Sequence, residues 1–277
     1  MKKILFPTDF SKTANHGFVY ALEMAKFLEA ELIVLHVYSL PVVSYEGYPS
    51  YILEVYDLID LNNFESFKDE VPHLRKIAEE HGLDFVKMTH VLEEGDLIPI
   101  MKKLVEKEKI DMIVMGTTGA TGLKETFIGS NTSDVISKIP IVTLCVPANA
   151  KFKKIQKIGF TTLFRTKDHH ALTKVLELAN KLKAKIKCLF VRTFDSDVKE
   201  TTVAKWREEF KKEDVEFFEI PNEDIKAAVF GFMGQHDIDV LAMLKYKRDF
   251  FDTLFQQSLV KSMAFHSKTP ILVIPED

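Results

Sequence analysis

The run Ile110-Asp111-Met112-Ile113-Val114-Met115-Gly116-Thr117-Thr118-Gly119, followed after nine residues by Gly129-Ser130, has the residue types and spacing needed to hold a phosphate. A short apolar run empties into a loop punctuated by glycine, and the loop ends where a helical pattern begins. Glycine has no Cβ to keep backbone N–H groups away from an anion. The unpaired N–H groups and positive dipole end of a helix favour negative charge. The alternative is conformational only, with Gly116, Gly119 and Gly122 serving turn geometry.

Other chemistries lack their residues. No GxxxxGK[ST] occurs, and no GxGxxG follows the first apolar run, so neither a P-loop nor a dinucleotide fingerprint is present. The two cysteines, Cys145 and Cys188, lie in apolar runs and read as buried thiols. Without CxxC or HExxH there is no support for a zinc site, and no metal ligands are assigned. His16 and His36 are isolated, and His36, in a strand-like run, reads as a satisfied core histidine rather than a general base. No Ser/His/Asp set is suggested by spacing, so no catalytic residue is assigned.

Such a loop works only if elements on either side hold it. The 277 residues allow one large domain or two small ones. Strand-like runs at Lys3–Pro7, Glu31–Tyr38, Asp84–Val91, Ile110–Gly116 and Ile141–Val146 alternate with helical patterns at Thr13–Leu28, Glu65–His81 and Asp96–Glu108. Gly82 is a C-cap candidate and Asp96 an N-cap candidate. Several of the strand runs are continuously apolar, as parallel strands covered on both faces should be. The alternation specifies a doubly wound α/β fold.

The second half repeats the programme. Strands are expected at Lys157–Phe160, Ala184–Val191, Val215–Ile220, Val240–Leu244 and Ile271–Ile274, and helices at Lys167–Leu182, Val198–Lys212, Glu223–His236 and Gln256–His266. Lys3–Phe10 aligns with Lys157–Phe164, Ala25–Glu31 with Ala179–Lys185, and Ile110–Met115 with Ile238–Met243. Pro140-Ile141-Val142 aligns with Pro270-Ile271-Leu272. Four anchors in one order indicate an internal repeat, divided at the polar connector Ala148–Lys154 into residues 1–150 and 151–277. Ser39–Asp57 has no counterpart. It holds most of the tyrosines with Pro41 and Pro49 between them, and reads as a loop packed on the body, with a lid or partner-docking surface as the alternative.

Charge is uneven. Residues 1–150 hold 14 Lys and Arg against 22 Asp and Glu, while residues 151–277 hold 23 against 19. The split fits two solvated surfaces or two halves that attract, and neither half is basic enough to make nucleic acid the main partner. No apolar run reaches the length of a membrane span, and Pro7-Thr8-Asp9 interrupts the N-terminal run before a signal-peptide core can form, so a cytoplasmic location is expected.

Two sets of residues resemble the universal stress protein family: the run Lys3-Ile4-Leu5-Phe6-Pro7-Thr8-Asp9-Phe10-Ser11-Lys12-Thr13-Ala14, and Gly116-x2-Gly119-x9-Gly129-Ser130, which matches that family's ATP-binding spacing in full. The chain looks like a tandem form of the family. The resemblance implies two five-stranded Rossmann-like parallel sheets of order 3-2-1-4-5, placing the ligand crevice between strands 1 and 4, where the strand order reverses. It also implies roles. Asp9 and the backbone around Pro7 and Val37 hold adenine. Met115 and Gly116 flank the ribose. Thr118, Gly119, Gly129, Ser130, Asn131 and Thr132 reach the phosphates. The implied ligand is ATP, ADP or AMP, with or without Mg. Asp9 could instead cap the Ser11–Leu28 helix, and Ser130 or Asn131 the helix over 132–138. Asp134 would compete with a phosphate for the dipole. The family's fifth strands pair, which implies an internal pseudo-dimer through Ile141–Val146 and Ile271–Ile274 and leaves room for a homodimer of chains.

The second half departs from this pattern. Asp9 becomes Leu163, Pro7 becomes Thr161, Gly116 becomes Leu244, and the glycine loop becomes Lys245-Tyr246-Lys247-Arg248-Asp249. No second ATP site is expected, and Lys245, Lys247 and Arg248 read as a solvated basic loop. The preferred function is adenine-nucleotide binding in the first half beside a structural or regulatory second half. A slow ATP hydrolase, and a nucleotide-free interaction protein using residues 39–57, are the alternatives.

Overall fold

A computed structural model describes residues 2–40, 49–117, 130–148, 150–245 and 269–276. Its order is β1 (Lys2–Pro7), α1 (Lys12–Leu28), β2 (Ala30–Tyr38), α2 (Pro49–Glu80), β3 (Met88–Glu94), α3 (Leu97–Glu108), β4 (Met112–Gly116), α4 (Ser130–Lys138) and β5 (Val142–Val146). Then come β6 (Lys157–Thr161), α5 (Thr166–Leu182), β7 (Lys185–Arg192), α6 (Glu200–Glu209), β8 (Val215–Pro221), α7 (Ile225–Gln235), β9 (Val240–Lys245) and β10 (Ile271–Pro275). The fold is α/β with a mostly parallel sheet. The strands form one sheet of order β3-β2-β1-β4-β5-β10-β9-β6-β7-β8. Strands 1–5 run in the order 3-2-1-4-5, and strands 6–10 repeat that order as its mirror along the sheet. The two arrays meet where β5 and β10 pair antiparallel, with Cys145 opposite Ile271, Leu144 opposite Leu272 and Thr143 opposite Val273.

The continuous apolar runs become strands with two buried faces. In β1, Ile4 and Phe6 pack toward α1 while Leu5 faces the layer of α3 and α4. In β4, Met112 and Val114 face one layer, Ile113 and Met115 the other. Helices α1, α2, α5 and α6 cover one side; α3, α4 and α7 cover the other. Each buried strand residue is therefore spoken for by period 2, and a one-residue slip would exchange the two cores.

Left-handed residues without glycine are uncommon. Here three pairs fall at positions that the alignment of the halves matches: Phe10 and Phe164 (φ 58° and 55°), Glu29 and Lys183 (52° and 54°), and Lys109 and Asp237 (54° and 50°). Asp111 Oδ2 accepts from the Lys3 amide at 2.8 Å. The matched Asp239 Oδ2 accepts from Gln156 and Lys157 at 2.8 and 2.9 Å.

Two expectations need revising. Residues 49–57, expected as part of a loop, form the start of the 32-residue α2, and residues 41–48 lie outside the described residues. The tyrosines suggested irregular chain, but 51–71 contain no breaker, and Tyr38 Oη donates to Asp60 Oδ1 at 3.0 Å, tying this helix to the end of β2. The third strand starts at Met88 rather than Asp84. After Gly82 (φ 64°) the chain makes a turn, closed by the Val86 amide on the Leu83 carbonyl at 3.1 Å, that buries Leu83 and Val86 without strand pairing. The helix expected at Gln256–His266 lies outside the described residues.

Candidate functional site

The crevice is built at the carboxyl ends of β1, β2 and β4. Strand β1 pairs with β4 through Ile4–Met112 and Leu5–Ile113, so Pro7, the last residue of β1, lies level with Met115, one residue before the end of β4. Beyond Pro7 the Thr8 amide still bonds the Leu35 carbonyl at 2.8 Å, and the chain then turns sharply. Three short bonds fix that turn. The Phe10 amide donates to Thr8 Oγ1 (3.0 Å), the Ser11 amide to Asp9 Oδ1 (3.1 Å), and the Ala14 amide to Ser11 Oγ (3.2 Å). Ser11, not Asp9, is thus the N-cap of α1. Asp9 closes an Asx turn one step earlier and keeps its side chain exposed at the crevice mouth.

An aromatic wall stands beside this turn. The Phe10 ring lies 4.8 Å from His36 and 6.0 Å from Phe67. His36 Nδ1 is 2.8 Å from the Thr8 carbonyl, and because a carbonyl only accepts, Nδ1 carries the proton. His36 is therefore a clamp on the turn, half-buried and satisfied. Val37, next along β2, is half-buried on the opposite side, against the α3/α4 layer.

On the β4 side, Met115 is buried and Gly116 half-buried. The Thr117 amide continues the ladder onto the Val146 carbonyl at 2.9 Å. Helix α4 returns to this point. Thr132 is 2% exposed and its Oγ1 donates to the Gly116 carbonyl at 3.0 Å, while Asn131 remains exposed. Asp134 pairs with Lys138 at 2.9 Å on the outer face of α4, which offsets its competition for the helix dipole. Thr118, Gly119 and Gly129 lie outside the described residues, and Ser130 is placed only as the first residue of α4. The structure thus gathers Pro7, Asp9, Val37, Met115, Gly116, Asn131 and Thr132 at one end of the sheet.

Sequence reasoning missed Gly17. A Cβ built there would lie 3.2 Å from the Gly116 nitrogen and 3.4 Å from Phe6 Cε2, so α1 touches the end of β4 backbone to backbone. A glycine inside an otherwise amphipathic helix was the available signal.

The matched corner of the second half is closed from within. Asp168, 1% exposed, replaces Ala14 in the alignment. Its Oδ2 accepts from Thr162 Oγ1 (3.2 Å) and from the Leu163 and Arg165 amides (2.7 and 3.0 Å). Leu244 is buried where Gly116 stands in the first half, and Ala171 replaces Gly17. Lys245 is not a solvated loop residue. It ends β9, and its Nζ donates to the carbonyls of Ile136 and Ser137 at 2.7 and 2.8 Å, with burial lowering its pKa. Lys247 and Arg248 lie outside the described residues. At the end of β2 the Tyr38 phenol is raised by burial and by its hydrogen bond to Asp60. Burial raises the Tyr20 phenol to about 12, and Tyr20 packs on Phe152 of the connector. Burial likewise raises the Cys145 thiol to about 12 and the Cys188 thiol well above its ordinary value. No described helix is long and apolar enough to cross a membrane.

A sequence model of the universal stress protein family matches residues 1–147. Two curated relatives from Methanocaldococcus jannaschii align with this portion. Universal stress protein MJ0531 is 34% identical over 145 residues, covering 52% of this chain and 81% of the relative. Universal stress protein MJ0577 is 32% identical over 147 residues, covering 50% and 89%. Among solved structures, a universal stress protein from Archaeoglobus fulgidus superposes over 99% of this chain and 96% of its own, with a TM-score of 0.71 at 17% identity, a likeness of fold.

Proposed function

The chain belongs to the universal stress protein family, and from that premise we propose that its first half, residues 1–150, binds one adenine nucleotide while the second half, residues 151–277, holds none and serves a structural or regulatory role. The observation that carries this reading is the contrast between the two β1-type corners. In the first, the turn at Thr8–Ser11 leaves the Asp9 carboxylate exposed, one oxygen taking the Ser11 amide, and the neighbouring strand β4 ends at Gly116. In the second, the same turn is bonded by the buried Asp168, and the neighbouring strand β9 carries a buried Leu244 in place of the glycine.

The residues fit the group. Asp9 accepts hydrogen bonds and suits an amino-bearing base, with Pro7 and Val37 supplying backbone and apolar surface. Gly116 leaves room beside the ribose. The amides opening α4, with Asn131, suit a phosphate, and by the family spacing Thr118, Gly119, Gly129, Ser130 and Thr132 join them. Bound nucleotide, as ATP, ADP or AMP, would supply charge and shape for a conformational response.

The test is calorimetric titration of the purified protein with ATP, preceded by denaturation of a sample and assay for co-purified nucleotide. The expected stoichiometry is one per chain, abolished or severely weakened in Asp9→Ala. No bound nucleotide together with no titration heat overturns the reading. A stoichiometry of two shows that the second half was misjudged. Magnesium-dependent phosphate release that vanishes in Asp9→Ala would move the protein to the hydrolase alternative.

A further inference from the structure

Helix α4 spans the seam between the two arrays. Val135 and Ile139 pack with Leu5, Ile113 and Met115 of the first, whereas Ile136 packs with Leu241, Met243 and Val273 of the second. Its first turn is tied to β4 by Thr132 Oγ1 on the Gly116 carbonyl. Its last turn is tied to β9, because the Lys245 ammonium donates to the carbonyls of both Ile136 and Ser137. The helix's own cation there, Lys138, is engaged with Asp134. The charge that completes the carboxyl end of α4 therefore comes from a residue 109 positions away in sequence, on the other array.

We propose that Lys245 is a positioning residue for the nucleotide site of the opposite half, holding α4 so that its amino end faces the phosphates; this rests on the nucleotide reading of the first half. A cation at the carboxyl end and an anion at the amino end are favoured by the same helix dipole, and each also resists fraying of the helix between them. Lys245 never meets the ligand. Nine residues at 1.5 Å per residue put it about 13 Å from the phosphate end. Coupling of this kind is reciprocal, so what Lys245 does for phosphate affinity, bound phosphate does for the hold on Lys245.

The experiment compares ATP with adenosine, which shares the base and ribose but offers α4 no anion. In Lys245→Met, affinity for ATP should fall about fivefold with adenosine affinity unchanged, and Lys245→Arg should restore most of the loss. In the wild-type protein ATP, but not adenosine, should slow acylation of Lys245 by a similar factor, read by peptide mass spectrometry; this arm stands even where the methionine variant fails to fold. Equal losses for ATP and adenosine reduce Lys245 to general stability and overturn the proposal. So does an unchanged ATP affinity, or acylation indifferent to ATP. If wild-type protein binds neither ligand, the nucleotide reading itself falls and takes this one with it. Wild-type binding with an unaltered ATP-to-adenosine ratio in Lys245→Met sinks this inference alone.

Discussion

Gly17→Ala tests whether the approach of α1 to β4 shapes the crevice. In a helix interior this substitution normally stabilises by about 0.5–1 kcal/mol, because alanine has less backbone freedom to lose. At Gly17 the new methyl would meet the Gly116 nitrogen at 3.2 Å, Phe6 Cε2 at 3.4 Å and the Gly116 Cα at 3.6 Å. None of these yields easily. Gly116 is held by its pairing to Val146 and by the Thr132 hydroxyl, and Phe6 is fully buried. Overpacking a tight contact costs about 1–3 kcal/mol, so the clash outweighs the propensity gain and the net expectation is a loss of about 1 kcal/mol. Gly231 in α7 supplies the internal control: it is exposed, and a Cβ there meets nothing within 4 Å. Gly231→Ala should gain about 0.5–1 kcal/mol, putting the two variants roughly 2 kcal/mol apart in urea unfolding with unchanged m-values. Because the displaced atoms belong to Gly116, ATP affinity should drop in Gly17→Ala and stay put in Gly231→Ala. A Gly17→Ala protein that is as stable as wild type and binds ATP equally well, with the control behaving as stated, would refute the claim that this contact is tight.

Two further outcomes follow from buried polar groups. Asp168→Ala strands the Thr162 hydroxyl and the Leu163 and Arg165 amides, and should cost about 2–4 kcal/mol in chemical denaturation; a cost under about 1 kcal/mol would mean water satisfies that corner and it is not sealed. Glu31 accepts from Thr89 Oγ1 at 2.6 Å and Lys87 Nζ at 3.1 Å, and these bonds, Thr89 first, hold its carboxyl below the ordinary range. A depressed carboxylate contributes stability that is present above its unfolded pKa and lost as pH falls through its folded pKa, so the stability gap between wild type and Glu31→Gln should narrow from about pH 6 to about pH 3; a gap that is constant across that range would contradict the assignment.

The strands were legible because a parallel strand buried on both faces is apolar without interruption, and β1, β2, β4 and β10 read that way. Val86 misled for the same reason: burial, not pairing, demanded its apolar character, and a buried turn can satisfy it. Tyrosines suggested a loop over 49–57, yet tyrosine tolerates a helix, and the contacts that show where that helix goes, Tyr38 on Asp60 and Phe10 and His36 against Phe67, join residues far apart in sequence. At the crevice, the types and spacing of Asp9 and Gly116 were readable, while the division of labour between Asp9 and Ser11 required the turn itself. Lys245 was misread as a solvated loop residue, since its two acceptors lie on the other array and no local pattern announces a partner so distant in the chain.

The antiparallel seam has a consequence for assembly. Strand β5 is flanked by β4 and β10, and β10 by β5 and β9, so neither has an edge left to offer. Among the described strands the sheet ends at β3 and β8. Glu93 and Glu94 in the one, and Glu216, Glu219 and Pro221 in the other, discourage recruitment of a further strand. Among the described strands, then, pairing between copies through β5 or β10 is closed off, because each already serves the other. Because both arrays share a chain, their union is first-order: dilution does not part them, and synthesis fixes one array with Asp9 and Gly116 to one with Leu163 and Leu244 in every molecule. Each molecule therefore carries the two kinds of corner in a fixed one-to-one ratio, which exchangeable subunits would not hold.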